Sequence, residues 1–206
     1  MTIELFLKGL FIGGSMAMAV GPIGLLCISR TLEKGFWAGM AIGLGAATAD
    51  GIYGAIAGLG LTFITDFLTS HEIIIRIIGG LYLLHLGVKT LSSKKNLKKA
   101  TLKEVSFLKS YIGTTFLTLT SPMTILFFIT IFASINLETG ITNTTTSSLT
   151  LILGVLFGSI FYHMFLFLSV SKLKEKLKSY HLTIITKLSG ILISGFALKI
   201  IILAIL

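Results

Sequence analysis

Two prolines, one cysteine and eight acidic residues are all that this chain of 206 residues holds of those types, and charged residues make up only 12% of it. A lone Cys27 cannot form an intramolecular disulfide, a C-x-x-C redox pair or a thiolate metal cage. Its place in an apolar stretch marks it as a buried structural thiol. A soluble domain carries roughly twice this share of charge, and no polar segment is long enough to make one. The motifs of soluble catalysis are missing too: no G-x-S-x-G elbow, no P-loop, no H-E-x-x-H. An enzyme is therefore not expected. Any pumping must draw on an ion gradient, since the chain has no ATP-hydrolysing motif of its own.

What the chain has in quantity is apolar sequence, 54% of residues, with a mean hydropathy of +0.97. Several stretches exceed the roughly 18 apolar residues that cross a bilayer as a helix. The fold class is all-α, a polytopic membrane protein, with spans expected at 3–29, 36–68, 73–91, 107–136, 149–171 and 186–206. The second and fourth are longer than a simple crossing, so they are tilted, broken or extended beyond the bilayer. Ala17-Met18-Ala19 resembles a signal-peptide cleavage site, but no positive cluster precedes it and the apolar run continues past it, so span one is read as a retained helix.

The net charge of +9 would suggest nucleic acid as a partner in a soluble protein. Here the basic residues lie beside apolar spans, where they act as topology signals and contact anionic membrane lipids, so no nucleic-acid partner is expected. Arg30, Glu33 and Lys34 follow span one; Lys89, Lys94, Lys95, Lys98, Lys99, Lys103 and Lys109 with Glu104 surround the link after span three; Lys172, Lys174, Lys176, Lys178 and Lys187 with Glu175 surround the link after span five. The remaining two links are acidic on balance, through Asp66, Glu72 and Arg76 and through Glu138. The alternation puts the basic links in the cytoplasm and both termini outside, in a multi-pass protein of the plasma or inner membrane. The stretch TGITNTTTSS, 139–148, is then an external polar loop; its formal glycosylation triplet Asn143-Thr144-Thr145 is read as nothing more.

The two prolines, Pro22 and Pro122, both fall inside spans. GPIGLL at 21–26 is echoed by SPMTIL at 121–126, DGIY at 50–53 by SIFY at 159–162, and IGGLYLLHLGVK at 78–89 by LSGILISGFALK at 188–199. The order is the same in both halves, which points to a three-span unit used twice. Three spans return the chain to the opposite side, so the copies are inverted: a first repeat at 1–91, a basic cytoplasmic loop at 92–106 and a second repeat at 107–206, together one transmembrane domain. Six transmembrane helices as two inverted three-helix repeats, with helices one and four broken, is an arrangement of secondary transporters, which bind substrate near the midplane. Gly21-Pro22 and Ser121-Pro122 would open the backbone where it lines a polar cavity, and half-helix ends there would favour a carboxylate. A plain proline kink is the simpler alternative.

Asp50 stands out in GLGAATADGIYGAIAGLGL, far from either end of span two. An intramembrane carboxylate is costly and faces a cavity or a partner. It binds a substrate ammonium or relays a proton, or it pairs silently with a neighbour. Tyr53 is three residues on and shares its face. Gly9/Gly13, Gly39/Gly43, Gly54/Gly58 and Gly154/Gly158 are small-xxx-small pairs that let helices approach closely. His85 and His163 are read as satisfied polar residues, and Arg76 and Lys199 as snorkelling ones. No cluster at ligand spacing suggests a metal site.

The stretch FLKGLFIGGSMAMAVGPIGLLCISRTLEKGFWAGMAIGLGAATADGIYGAIAGLGL, 6–61, resembles the N-terminal half of the LysE-type amino-acid exporter family, through Gly21-Pro22, Gly35, Gly39, Gly43 and Asp50 taken with GGLYLLHLGVKTL at 79–91. FLTLTSPMTILFFITIF at 116–132 is similar to that family's fourth helix. The resemblance implies six helices, no cofactor, and proton-driven export of amino acids such as basic residues, threonine or homoserine. Two departures stand out. Ala19-Val20 precede Gly21-Pro22 where many members double the Gly-Pro, and Ser121-Pro122-Met123 replaces Asn-Pro-Lys, so lysine export does not follow.

The expected function is an ion-gradient-driven exporter of amino acids or similar small zwitterionic solutes, coupled to a proton or other ion. Gly21, Pro22, Asp50, Tyr53, Ser121 and Pro122 form the candidate binding set. Heavy-metal efflux and a non-transporting membrane scaffold are the alternatives, and the choice between monomer and homodimer stays open.

Overall fold

In the computed structural model, residues 2–18, 21–92, 106–139, 145–176 and 179–205 are described. They form helices throughout: α1 (Thr2–Met18), α2 (Pro22–Lys34), α3 (Phe36–Gly58), α4 (Thr62–Ser70), α5 (Glu72–Leu91), α6 (Phe107–Leu119), α7 (Pro122–Thr139), α8 (Thr145–Lys176) and α9 (Ser179–Ile205). Four helical stretches are long and apolar enough to cross a membrane, within α3, α5, α8 and α9. Two bent pairs complete six spans: α1 with α2, at 73°, and α6 with α7, at 67°. The protein is an all-α polytopic membrane protein whose first and fourth spans are broken.

Both prolines sit at the start of a helix and not in the middle of one. Pro22 is the first residue of α2, after an extended Gly21 (φ −112°, ψ −179°), and Pro122 is the first residue of α7. At a first helical position proline lacks a donor that has no intrahelical partner anyway, and its fixed φ suits the helix. Each therefore starts the second half of a broken span.

The expected limits of three spans need correction. Span two does not run to residue 68: α3 ends at Gly58, the chain turns through Gly60 at φ +64°, and α4 starts afresh at Thr62. Arg30 and Glu33 are not link charges either. α2 continues to Lys34 and the chain turns on Gly35 alone, at φ +90°, so both residues lie inside the helix, paired at 2.7 Å and each 7% exposed. Span five is longer at both ends than expected, and Thr145–Ser148, assigned to an external loop, already belong to α8. The loop at 92–106 lies, but for its first and last residues, outside the described residues, as do 140–144.

Close packing depends on glycine where backbones meet. α1 lies along α8 with Gly9 and Gly13 facing Gly154 and Gly158; a Cβ on any of the four would collide with a backbone carbonyl of the other helix. Without a hydrophobic drive between helices in lipid, such contacts supply the association energy. α3 packs on α8 and α6, and α5 runs antiparallel to α9, with Gly80 against Ile201 and Gly190 against Leu91. Outward positions such as Ile3, Phe11, Phe161 and Ile202 are apolar and exposed, as lipid contact requires.

Candidate functional site: a buried carboxylate beside a helix break

α3 is the central element, touching α2, α6, α7 and α8. Small residues make this possible: Ala38, Ala41, Ala46, Ala47 and Ala49 are buried, and Gly45 lies against the Tyr111 carbonyl of α6. Thr115 secures that approach by donating its hydroxyl to the Gly45 carbonyl at 3.0 Å. Asp50 projects from this helix and is 7% exposed.

The partner of Asp50 is a hydroxyl. Ser159 of α8 donates to Asp50 Oδ2 at 2.6 Å. One turn on, His163 places Nδ1 at 2.9 Å from the Ser159 carbonyl oxygen and 3.4 Å from its hydroxyl. Ser159 and His163 are buried, at 0% and 3% exposure. Gly43 makes room for the imidazole, since a Cβ there would stand 2.8 Å from His163 Cβ. Among the described residues no Lys or Arg pairs with Asp50; ion pairs such as Glu4–Lys8, Arg30–Glu33 and Glu72–Arg76 each lie within one helix. Arg76 thus meets Glu72 within its own helix.

Tyr53 carries the site to the second break. Its fully buried hydroxyl reaches the carbonyl oxygens of Ser121, at 3.1 Å, and Thr118, at 3.3 Å. These carbonyls belong to the end of α6 and the connection to α7, and the phenol adds to the backbone N–H bond that each accepts. The ring stacks on Phe128 of α7, with centroids 6.2 Å apart. The break is otherwise closed locally: Ser121 N–H donates to Thr118 O, Thr124 N–H to Ser121 O, and the Thr124 hydroxyl to the Ser121 hydroxyl at 2.9 Å.

Of the six residues expected to bind substrate, Asp50, Tyr53 and Ser121 fall in one neighbourhood, joined through α3, and Pro122 opens α7 beside them. Gly21 and Pro22 open α2, half-buried, on the other broken span. No described bond links them to Asp50. Ser159 and His163 were missed by reasoning on single residues. The alignment of DGIY with SIFY does set Ser159 in register with Asp50, and that was the available signal.

Comparison with known proteins adds the lineage. The LysE type translocator family matches residues 14–204, a range that includes both breaks, Asp50, Ser159 and His163. The chain belongs to that family. It is 29% identical over 140 residues to the "Putative amino acid efflux protein YcgF" of Bacillus subtilis (strain 168), covering 66% of each chain. It is 32% identical over 150 residues to the "Uncharacterized membrane protein YahN" of Escherichia coli (strain K12), covering 68% of this chain and 61% of that one. The match thus spans just under two thirds of the length of either relative. No solved structure matches the chain. For this LysE type translocator, the family resemblance of the sequence is borne out, and so is the expected all-α architecture with two broken spans.

Proposed function

We propose that this LysE type translocator is a secondary exporter of amino acids or similar small zwitterionic solutes, driven by a proton or other ion gradient across the plasma or inner membrane. One observation carries the reading: Asp50 is a buried carboxylate whose partner is a hydroxyl and, among the described residues, not a cation, one helical turn from a tyrosine that holds the second break. A silent structural aspartate would be neutralised by a cation, because an isolated buried charge is costly. An aspartate that must accept a substrate ammonium or a proton in turn has to be left available.

In this reading the substrate carboxylate meets the N-terminal ends of α2 and α7, at Gly21-Pro22 and Ser121-Pro122, where the helix dipole favours an anion. The ammonium meets Asp50. Tyr53 positions the second break through its carbonyls. The two halves act as inverted repeats within one transmembrane domain. Support comes from matched contacts: Gly80 packs on Ile201 and Gly190 on Leu91, which is one contact seen twice if 78–91 is laid on 188–201. Asp50 and Ser159, matched positions in the same scheme, meet each other, as residues on a pseudo-two-fold axis do. The basic links lie in the cytoplasm, with both termini outside. Heavy-metal efflux would need clustered ligands, and among the described residues no three His, Cys, Asp or Glu side chains come together.

The test is counterflow in proteoliposomes against a panel of labelled amino acids. Stimulated uptake of at least one of them is expected. Uptake of none, by protein shown to be folded, would favour the scaffold reading.

A further inference from the structure

An exporter coupled to protons must bring a proton to a carboxylate that is only 7% exposed. We propose that Asp50, Ser159 and His163 form a proton relay, in which His163 exchanges a proton with Asp50 through the Ser159 hydroxyl. The relay rests on the exporter reading for its purpose and on geometry for its chemistry.

The bond directions are fixed by what each atom can do. A carbonyl oxygen only accepts, so His163 Nδ1, 2.9 Å from the Ser159 carbonyl, carries a hydrogen. The same N–H is 3.4 Å from Ser159 Oγ. The single hydroxyl proton of Ser159 is directed at Asp50 Oδ2, 2.6 Å away, which leaves the oxygen lone pairs of Ser159 for the imidazole. Each donor therefore points the same way, from imidazole to carboxylate. Nε2 remains as the atom of the ring that accepts an incoming proton.

The step balances without any redox partner. A proton bound at Nε2 makes the imidazolium. The Nδ1 proton passes to Ser159 Oγ as the hydroxyl proton passes to Asp50 Oδ2. The products are neutral imidazole, an intact serine and a protonated carboxylic acid. A substrate ammonium arriving at Asp50 displaces that proton along the reverse route, so one carboxylate holds a proton or a substrate but not both. That exclusivity is what exchange transport requires.

Among the described residues, no other carboxylate or imidazole on the surrounding helices is bonded to Asp50, Ser159 or His163. Tyr53, Tyr111 and Tyr162 present phenols and Cys27 a thiol, and none of these is a carboxylate or an imidazole. On α1 and α2, Glu4–Lys8 and Arg30–Glu33 are paired. Lys34, Lys109 and the lysines Lys172, Lys174 and Lys176 lie in the end turns of their helices, whereas Asp50 and His163 lie well inside theirs.

Two measurements test the relay. The first needs no substrate: 15N-histidine-labelled protein in nanodiscs, with the His163 signals assigned by His163→Gln, is titrated with acid. Strongly interacting groups titrate as a pair, so the ring signals follow two steps in the wild type and one in Asp50→Asn. Identical single-step curves in the two proteins overturn the relay, whatever the transport assays give. The second uses an amino acid active in counterflow. His163→Gln lowers proton-gradient-driven uptake about tenfold more than it lowers counterflow, the effect of losing one hydrogen bond to a charged group. Equal loss in both assays makes His163 a structural residue and overturns the relay. Absence of counterflow in the wild type is a failure of the exporter reading alone, because the titration is read without it.

Discussion

The two broken spans have similar shapes and opposite interiors. After the first break, α2 buries Cys27, Ser29, Arg30, Thr31 and Glu33 beside Leu26 and Leu32. After the second, the buried residues among the described side chains of α7 are Ile125, Phe128, Phe132 and Ile135, in one apolar cluster with Leu5, Tyr53 and Val155. α7 is held by close aromatic packing and by Tyr53, which bonds the carbonyls at the break from a neighbouring helix. α2 meets several of its buried polar groups within itself: Thr31 donates to the Cys27 carbonyl at 2.7 Å, Ser29 to the Leu26 carbonyl, and Arg30 pairs with Glu33, while the Cys27 thiol, a weak donor, reaches the Gly39 carbonyl of α3 at 3.7 Å. A helix whose polar groups are satisfied internally can shift against its neighbours without leaving a buried donor or acceptor unpaired. A helix tied by another helix's side chain cannot. By this comparison α7 is tied to α3 by a phenol hydroxyl, and α2 only by a weak thiol contact.

Substitutions on the two helices should therefore fail differently. Phe128→Ala leaves a cavity among Tyr53, Phe132 and Val155 and should cost about 3–5 kcal/mol, the usual range for a buried phenylalanine. Thermal unfolding in detergent measures it, and no second apolar substitution nearby is expected to restore the loss. Arg30→Met leaves Glu33 as a buried charge without its arginine and should cost a similar amount, about 3–5 kcal/mol. Here a second change rescues: Arg30→Met with Glu33→Leu should return to near wild-type stability, because both charges are gone. Failure of that rescue would mean that the pair is bound to neighbouring helices, and that α2 is anchored as well.

Smaller effects sharpen the contrast. Tyr53→Phe removes the bond to the carbonyls at the second break while keeping the ring on Phe128, and should lower stability by about 1 kcal/mol, one neutral hydrogen bond. Counterflow should fall more than stability does if the break must be held in place. Gly35→Ala meets no neighbouring atom, so only the backbone is strained, at φ +90° and ψ −174°, at a cost of about 1–3 kcal/mol. Its effect should fall on the turn between α2 and α3 and leave the second break as it was.

Much of this architecture could be read in the sequence, and the reasons differ by feature. Apolar runs gave the spans because lipid forces every backbone group into a helix or closed barrel. Gly21-Pro22 and Ser121-Pro122 gave the breaks because proline tolerates the first turn of a helix and not its interior. Asp50 was conspicuous as the acidic residue deepest in an apolar run. Its partners were not, since Ser159 looks like any serine in a membrane helix, and only the weak repeat placed it opposite. The burial of Arg30 and Glu33 escaped notice because charge next to an apolar run ordinarily signals a loop. The single residue Gly35, at φ +90°, makes that loop so short that the charges stay inside. The break between α3 and α4 is carried by Leu59–Leu61, which hydropathy cannot distinguish from a continuing span.

Intracellular amino-acid accumulation in cells fed dipeptides, with Asp50→Asn compared with wild type at equal membrane abundance, bears most directly on the claim that a buried carboxylate between α3 and α8 carries the export. Cells with the wild type should keep the internal level low, and cells with Asp50→Asn should accumulate it as fully as cells lacking the protein. Clearance by Asp50→Asn at the wild-type rate would contradict the account and leave the carboxylate as a structural hydrogen-bond acceptor.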